Sequence, residues 1–149
     1  MKSLKWTFLV LALFAFALNS CKKSANKPTV NNNIAFKFNG TTYSTSTITT
    51  VYKSGGLQII GTYVGSTTLY IAIPANVKVG SFDLSTGAAA AIFNIGSSAS
   101  YVSDSGNITI TSFTSTTVAG TFEFHGTDLT ANNTCTVTSG SFLATYSAQ

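Results

Sequence analysis

The sequence predicts an all-β fold, an antiparallel β-sandwich or flattened barrel of about nine to ten short strands, after a signal peptide and a short tether. Three observations carry that reading. From Ile34 onward apolar residues recur with a period of two. The alternating runs are short and are punctuated by Gly, Ser, Asn and Asp. Threonine and serine fill the outward positions, and a β-branched threonine suits a pleated surface.

The elements follow in order. Ile34, Phe36 and Phe38 alternate with Ala35 and Lys37, and Asn39-Gly40 then signals a type I′ hairpin into Thr41–Tyr43. Ile48–Lys53 is closed by Ser54-Gly55-Gly56, and Leu57–Val64 by Gly65-Ser66. In Thr67–Ile73, Leu69, Ile71 and Ile73 share one face, and Pro74 ends the strand because it lacks a ladder donor. Val79–Leu84 and Ala89–Ile95 are shorter candidates, and the alanine run 88–91 is the one place for a helical turn. Ala99–Val102 leads into Ser103-Asp104-Ser105-Gly106, read as a turn, and then into Asn107–Phe113. Val118–His125 sets Phe122 and Phe124 on one face and Glu123 and His125 on the other. A last hairpin runs through Thr134–Val137, turns near Ser139-Gly140 and ends in Phe142, Ala144 and Tyr146. The phenylalanine-rich inward set (Phe36, Phe38, Phe122, Phe124, Phe142) favours a packed sandwich over a hollow barrel.

The first residues are of a different kind. Lys2 and Lys5 precede an apolar run from Trp6 to Leu18, broken only by Thr7. The run is shorter than the roughly 20 residues a bilayer span needs, and it suits a secretory signal. Leu18-Asn19-Ser20-Cys21 is similar to a lipoprotein box, with Asn19 where a small or aliphatic residue is commoner. On that reading 1–20 is a signal, Cys21 is lipidated with palmitate-class chains, 21–33 is the tether and 34–149 is one domain. The alternative is an ordinary secretory signal with a chance cysteine. Several acyl chains anchor stably where one anchors marginally.

Charge excludes one class of partner. All eight basic residues are lysines. Two lie in the signal and three, Lys22, Lys23 and Lys27, lie beside Cys21. The domain has Lys37, Lys53 and Lys78 against Asp83, Asp104, Glu123 and Asp128, so no basic stripe exists to follow nucleic-acid phosphates. With Cys21 acylated, Cys135 has no disulfide partner, and its parity with Val137 places it in the core.

Catalytic chemistry is sparse. His125 has no Gly-x-Ser-x-Gly elbow to serve. Glu123 would need Asp104 or Asp128 brought close to act as a glycosidase pair. One histidine and one free cysteine make no zinc site, and Ser103–Asn107 has too few carboxylates for an EF-hand. Gly55-Gly56 lacks the Lys-Ser/Thr of a phosphate loop. Tyr43, Tyr52, Tyr63, Tyr70, Tyr101 and Tyr146 are core-edge residues or stacking platforms, with Tyr63 or Tyr70 the candidate to face outward.

The segments FKFNGTTYS, GGLQIIGTY, LYIAIPANVKVGSFDL, SGNITITSF, VAGTFEFHGTD and VTSGSFLATY, in that order, span most of 36–146. The chain resembles small Bacteroidota lipoproteins that carry an all-β domain of unknown function. The resemblance implies an envelope lipoprotein and supplies no catalytic or binding residues. Lipoproteins exported to the surface in that phylum have acidic residues soon after the cysteine, and Lys22–Lys27 has none, so the periplasmic face and the surface both stay open.

The expectation is an outer-membrane lipoprotein that is a non-catalytic binding or interaction module. It takes no cofactor or metal, meets the membrane through Cys21 and meets a protein or glycan partner through its domain. A lipocalin- or calycin-like barrel holding a small hydrophobic ligand is the alternative, and an enzyme the least favoured.

Overall fold

The computed structural model of the protein describes residues 30–147. The expected signal, Cys21 and most of the tether lie outside the described residues. Ten strands form: β1 (Asn33–Phe38), β2 (Thr41–Thr45), β3 (Ile48–Lys53), β4 (Gly56–Tyr63), β5 (Thr67–Ile73), β6 (Gly80–Asp83), β7 (Ala90–Ile95), β8 (Ala99–Phe113), β9 (Thr117–Asp128) and β10 (Thr134–Thr145).

All ten belong to one antiparallel sheet, ordered β2-β1-β10-β9-β8-β7-β5-β4-β3, with β6 added to β8. Neighbours in sequence are mostly neighbours in the sheet, and the first strand pairs with the last through β1 and β10. The result is a nearly closed meander barrel, so of the two architectures expected the barrel is the one that forms.

The seam is a single bent strand. Only Ser46 and Thr47 separate β2, which pairs with β1, from β3, which pairs with β4. At the bend the Thr62 N–H donates to the Thr47 carbonyl at 3.0 Å, and the Thr45 hydroxyl donates to the Thr62 carbonyl at 2.7 Å. On either side of the bend aromatic side chains span the seam. Tyr43 of β2 meets Tyr63 of β4 at 5.9 Å between centroids, and Tyr52 of β3 meets Tyr146 at 5.2 Å.

Phe36 is the hub of the interior. It stacks on Tyr43 at 5.4 Å and makes edge contacts with Tyr63 at 5.6 Å and Phe93 at 5.2 Å. Phe122 lies beside it and Phe142 beside Phe122. Such pairs add about 0.5–1.5 kcal/mol each beyond buried area. A second aromatic group, Tyr52, Phe113 and Tyr146, fills the end where the chain enters at Asn33. The expected inward set is inward: Phe36, Phe122, Phe124 and Phe142 are buried, and Phe38 is partly buried against them. The barrel achieves by filling its centre what a sandwich would achieve by apposing two sheets.

Two hairpin turns form as the sequence predicts. Asn39 and Gly40 both take positive φ, as do Ser54 and Gly55. Two other predicted turns are bulges inside long strands instead. Ser103–Gly106 interrupts the pairing register of β8 with β9, and Ser139-Gly140 that of β10 with β9. Gly106 sits at φ +119°, where a Cβ would come within 2.2 Å of the Glu123 carbonyl. Close backbone approach explains that glycine, and the extra residue bends the strand so the barrel can close. The alanine run is also corrected. Ala90 and Ala91 lie in β7, and the helical turn, of 3₁₀ type, falls at Val64–Ser66.

Phe36→Ala is expected to cost about 3–5 kcal/mol of unfolding free energy, whereas Phe36→Leu costs distinctly less; urea denaturation of the three proteins measures both.

Candidate functional site

The chemistry-bearing side chains lie mostly on the outer wall. On β6, β8 and β9 the register sets Asp83 beside Asn107 and Asn107 beside Glu123. These three exposed residues form one lateral row. Asp83 and Glu123 are then two strand spacings apart, about 10 Å. Asp104 and Asp128, the partners expected for Glu123, do not occupy that row: Tyr101 faces Asp128, and Asp104 falls within the β8 bulge. Asp83 lies far from Glu123 in sequence, and only the insertion of β6 against β8 brings it near.

Hydrogen bonds fix the state of these acids. Asp83 Oδ1 accepts from the Ser85 hydroxyl and the Ser85 N–H, both at 2.7 Å, which holds its carboxyl below the usual range. Asp128 is 1% exposed, yet bonds from the Thr130 N–H and hydroxyl outweigh desolvation and lower its pKa too. Both acids cap turns. Asp104 accepts from the hydroxyls of Ser105 and Thr127. His125 is exposed and its Nδ1 lies 3.2 Å from the Thr136 hydroxyl. Two shallow grooves sharing Glu123 run along this wall, of about 340 and 170 Å³. Threonine, serine and backbone line most of them. Among the described residues no three His, Cys, Asp or Glu side chains cluster where a metal could sit.

A different wall has the more unusual arrangement. Register pairs Ile60 with Tyr70, Tyr70 with Ile92, and Ile92 with Val102. Their neighbours in each strand, such as Ile59, Ile71 and Phe93, are buried, so these four point outward. All four are half-buried, and none packs against the core. An apolar row thus crosses β4, β5, β7 and β8 on the outside of the barrel. Beside it runs a hydrogen-bonded polar row, in which the Ser100 hydroxyl donates to Asn94 Oδ1 at 2.7 Å and Asn94 Nδ2 donates to Thr68 Oγ1 at 3.1 Å. On the other side a groove of about 230 Å³ is lined by Val51, Lys53, Gln58, Tyr70 and Ala72 among others.

Of the two tyrosines singled out from sequence, Tyr70 faces outward and Tyr63 inward. The Tyr63 hydroxyl and Thr50 Oγ1 are buried without a protein hydrogen-bond partner, and burial pushes the Tyr63 phenol up. The row itself went unread in the sequence because each of its members is an ordinary strand residue. Only pairing four strands in register shows that the apolar positions coincide.

A family model for a domain of unknown function, DUF6252, matches residues 28–145. The chain belongs to the DUF6252 family. The match begins shortly before β1 and ends at the last residue of β10, so the DUF6252 domain and the barrel coincide. No curated protein and no solved structure matches the chain.

Cys135 lies in the wall of the DUF6252 barrel, 3% exposed, and burial pushes its thiol from 9.0 up to about 11. Between those values the unfolded chain loses a proton that the folded one keeps, so stability falls as pH rises from about 9 to about 11. Cys135→Ala is expected to remove this part of the alkaline loss, as urea midpoints of the two proteins across that range would show.

Proposed function

We propose that this DUF6252 protein is a lipid-anchored, non-catalytic envelope module that binds a protein partner through the outer face of β4, β5, β7 and β8. The carrying observation is the apolar row Ile60–Tyr70–Ile92–Val102 with its polar flank. An apolar centre with a tyrosine and a polar border is the composition of a protein interface. A protein partner fits the row better than a glycan, because Ile60 and Ile92 flank Tyr70, Val102 extends the row beyond Ile92, and none of the three offers a sugar a side-chain hydrogen bond.

The reading as non-catalytic draws support from the acids. An inverting glycosidase keeps one carboxyl protonated by raising its pKa. Asp83, the carboxylate nearest to Glu123 by register, is engaged by two hydrogen bonds from Ser85 that hold its carboxyl low, so it caps its turn and does not take the acid's part. The anchor draws support from the Cys21 motif and the lysines after it.

A small ligand inside the barrel is the second reading. The meander topology and the two unpartnered hydroxyls of Thr50 and Tyr63 favour it. The filled interior weighs more. A void of ligand size would leave its lining accessible, and Ile34, Phe36, Phe93 and Phe124 are 0–2% exposed.

The test places a photo-crosslinking residue at position 70, or at position 121 on the hydroxyl-lined wall, in growing cells. An adduct of one discrete mass is expected from position 70 alone and is lost when Ile92→Asp is added. Equal adducts at both positions, or none at 70, contradict the reading. In parallel, Cys21→Ser is expected to move the protein from the detergent phase to the aqueous phase, and retention in detergent contradicts the anchor.

A further inference from the structure

Strand direction separates the barrel into two ends. The chain enters at Asn33, and the same end holds the Ser54-Gly55 turn, the segment after Ile73, the β8–β9 turn and the close of β10. The other end holds Asn39-Gly40, Val64–Ser66 and the β9–β10 loop. Charge is divided unevenly between them.

Two of the domain's three lysines, Lys53 and Lys78, lie at the entry end. Lys53 closes β3 and adjoins the Ser54-Gly55 turn. Lys78 follows Val77, whose N–H donates to the Gly55 carbonyl at 3.2 Å. That bond ties the two lysine-bearing segments into one surface. Both lysines are exposed, and Val79 beside them is 59% exposed. Among the described residues the acidic side chains lie elsewhere. Asp83 and Glu123 flank Asn107 part-way along the barrel, Asp104 is nearer the far end, and Asp128 is at the far end. Lys37, one residue before the far end of β1, is the only lysine on that half.

We infer that the entry end of the barrel, through Lys53, Lys78 and Val79, docks on an anionic lipid surface and stands the barrel upright on its membrane. The inference rests on the anchor at Cys21. From Cys21 to Asn33 the chain has Lys22, Lys23 and Lys27 and no acid. Asn33 lies twelve residues beyond Cys21, and a chain of that length reaches at most about 40 Å. The entry end is therefore held within reach of the headgroups, and contacts too weak to recruit a free protein suffice to orient a tethered one. Lysines near an anionic surface attract it additively, and the attraction falls off within a Debye length. The carboxylates toward the other end are repelled, so both signs of charge favour the same orientation. An exposed valine beside the lysines adds apolar contact at the headgroup boundary. The apolar row then faces sideways, parallel to the membrane.

The test uses the mature acylated protein in vesicles, neutral or with about 30% anionic lipid. A fluorophore is attached at Val79→Cys or, in a second protein, at Val64→Cys on the far end. Burial protects Cys135 from the same reagent. Headgroup spin labels then quench whichever fluorophore lies close. In anionic vesicles, quenching at 79 is expected to exceed that at 64 at least threefold. The difference is expected to vanish in about 0.5 M salt, in neutral vesicles, and in the Lys53→Gln/Lys78→Gln protein. Equal quenching at the two positions, or a difference insensitive to salt and to both lysines, overturns the docking while the anchor stands. A mass for Cys21 without acyl chains overturns the anchor and the docking together.

Discussion

Closure of the barrel at the β2–β3 bend depends on aromatic side chains, because there the backbone changes partners. A strand that changes partners half-way, as β2 and β3 do, leaves each half with one unpaired edge. Hydrogen bonds cover only the bend, through Thr45, Thr47 and Thr62. Tyr43 against Tyr63 seals one side, and Tyr52 against Tyr146 the other. Phe36 binds the first of these contacts to Phe93 and so to the opposite wall. The same rings that shut the seam fill the centre. That one arrangement decides both that the domain is a barrel and that the barrel is packed.

A packed centre leaves the surface to carry the binding proposed above. The outer walls are largely threonine and serine, with few charges to discourage association. Against that uniform background the apolar row on β4, β5, β7 and β8 and the lysine-bearing entry end stand out. They are also geometrically independent, one on the side and one at the end. A protein standing on its entry end would present the row laterally, so the proposed anchoring and the proposed partner binding need not compete.

Much of the fold was legible in the sequence, because period-two patterning survives wherever one face is buried. Thr67–Ile73 shows this best: the predicted face of Leu69, Ile71 and Ile73 is the buried face. Asn39-Gly40 was legible because few dipeptides accept two positive φ angles. Ser103–Gly106 and Ser139-Gly140 were misread because a bulge and a turn draw on the same residues, and only pairing across the whole ladder separates them. The choice of barrel over sandwich rested on β1 meeting β10, a contact between distant segments that no local pattern encodes. The surface features were least legible. Ile60, Tyr70, Ile92 and Val102 are scattered along the chain, and their alignment exists only in register.

The central claim is that the barrel's interior is filled by its own aromatic rings. The most direct measurement titrates the purified mature protein with a fatty acid and with a small environment-sensitive apolar dye, following fluorescence and calorimetry. The account predicts no saturable binding by the native protein and a new apolar site once Phe36→Ala removes the hub. Tight one-to-one binding by the native protein, abolished by enlarging a side chain in the interior, would contradict it.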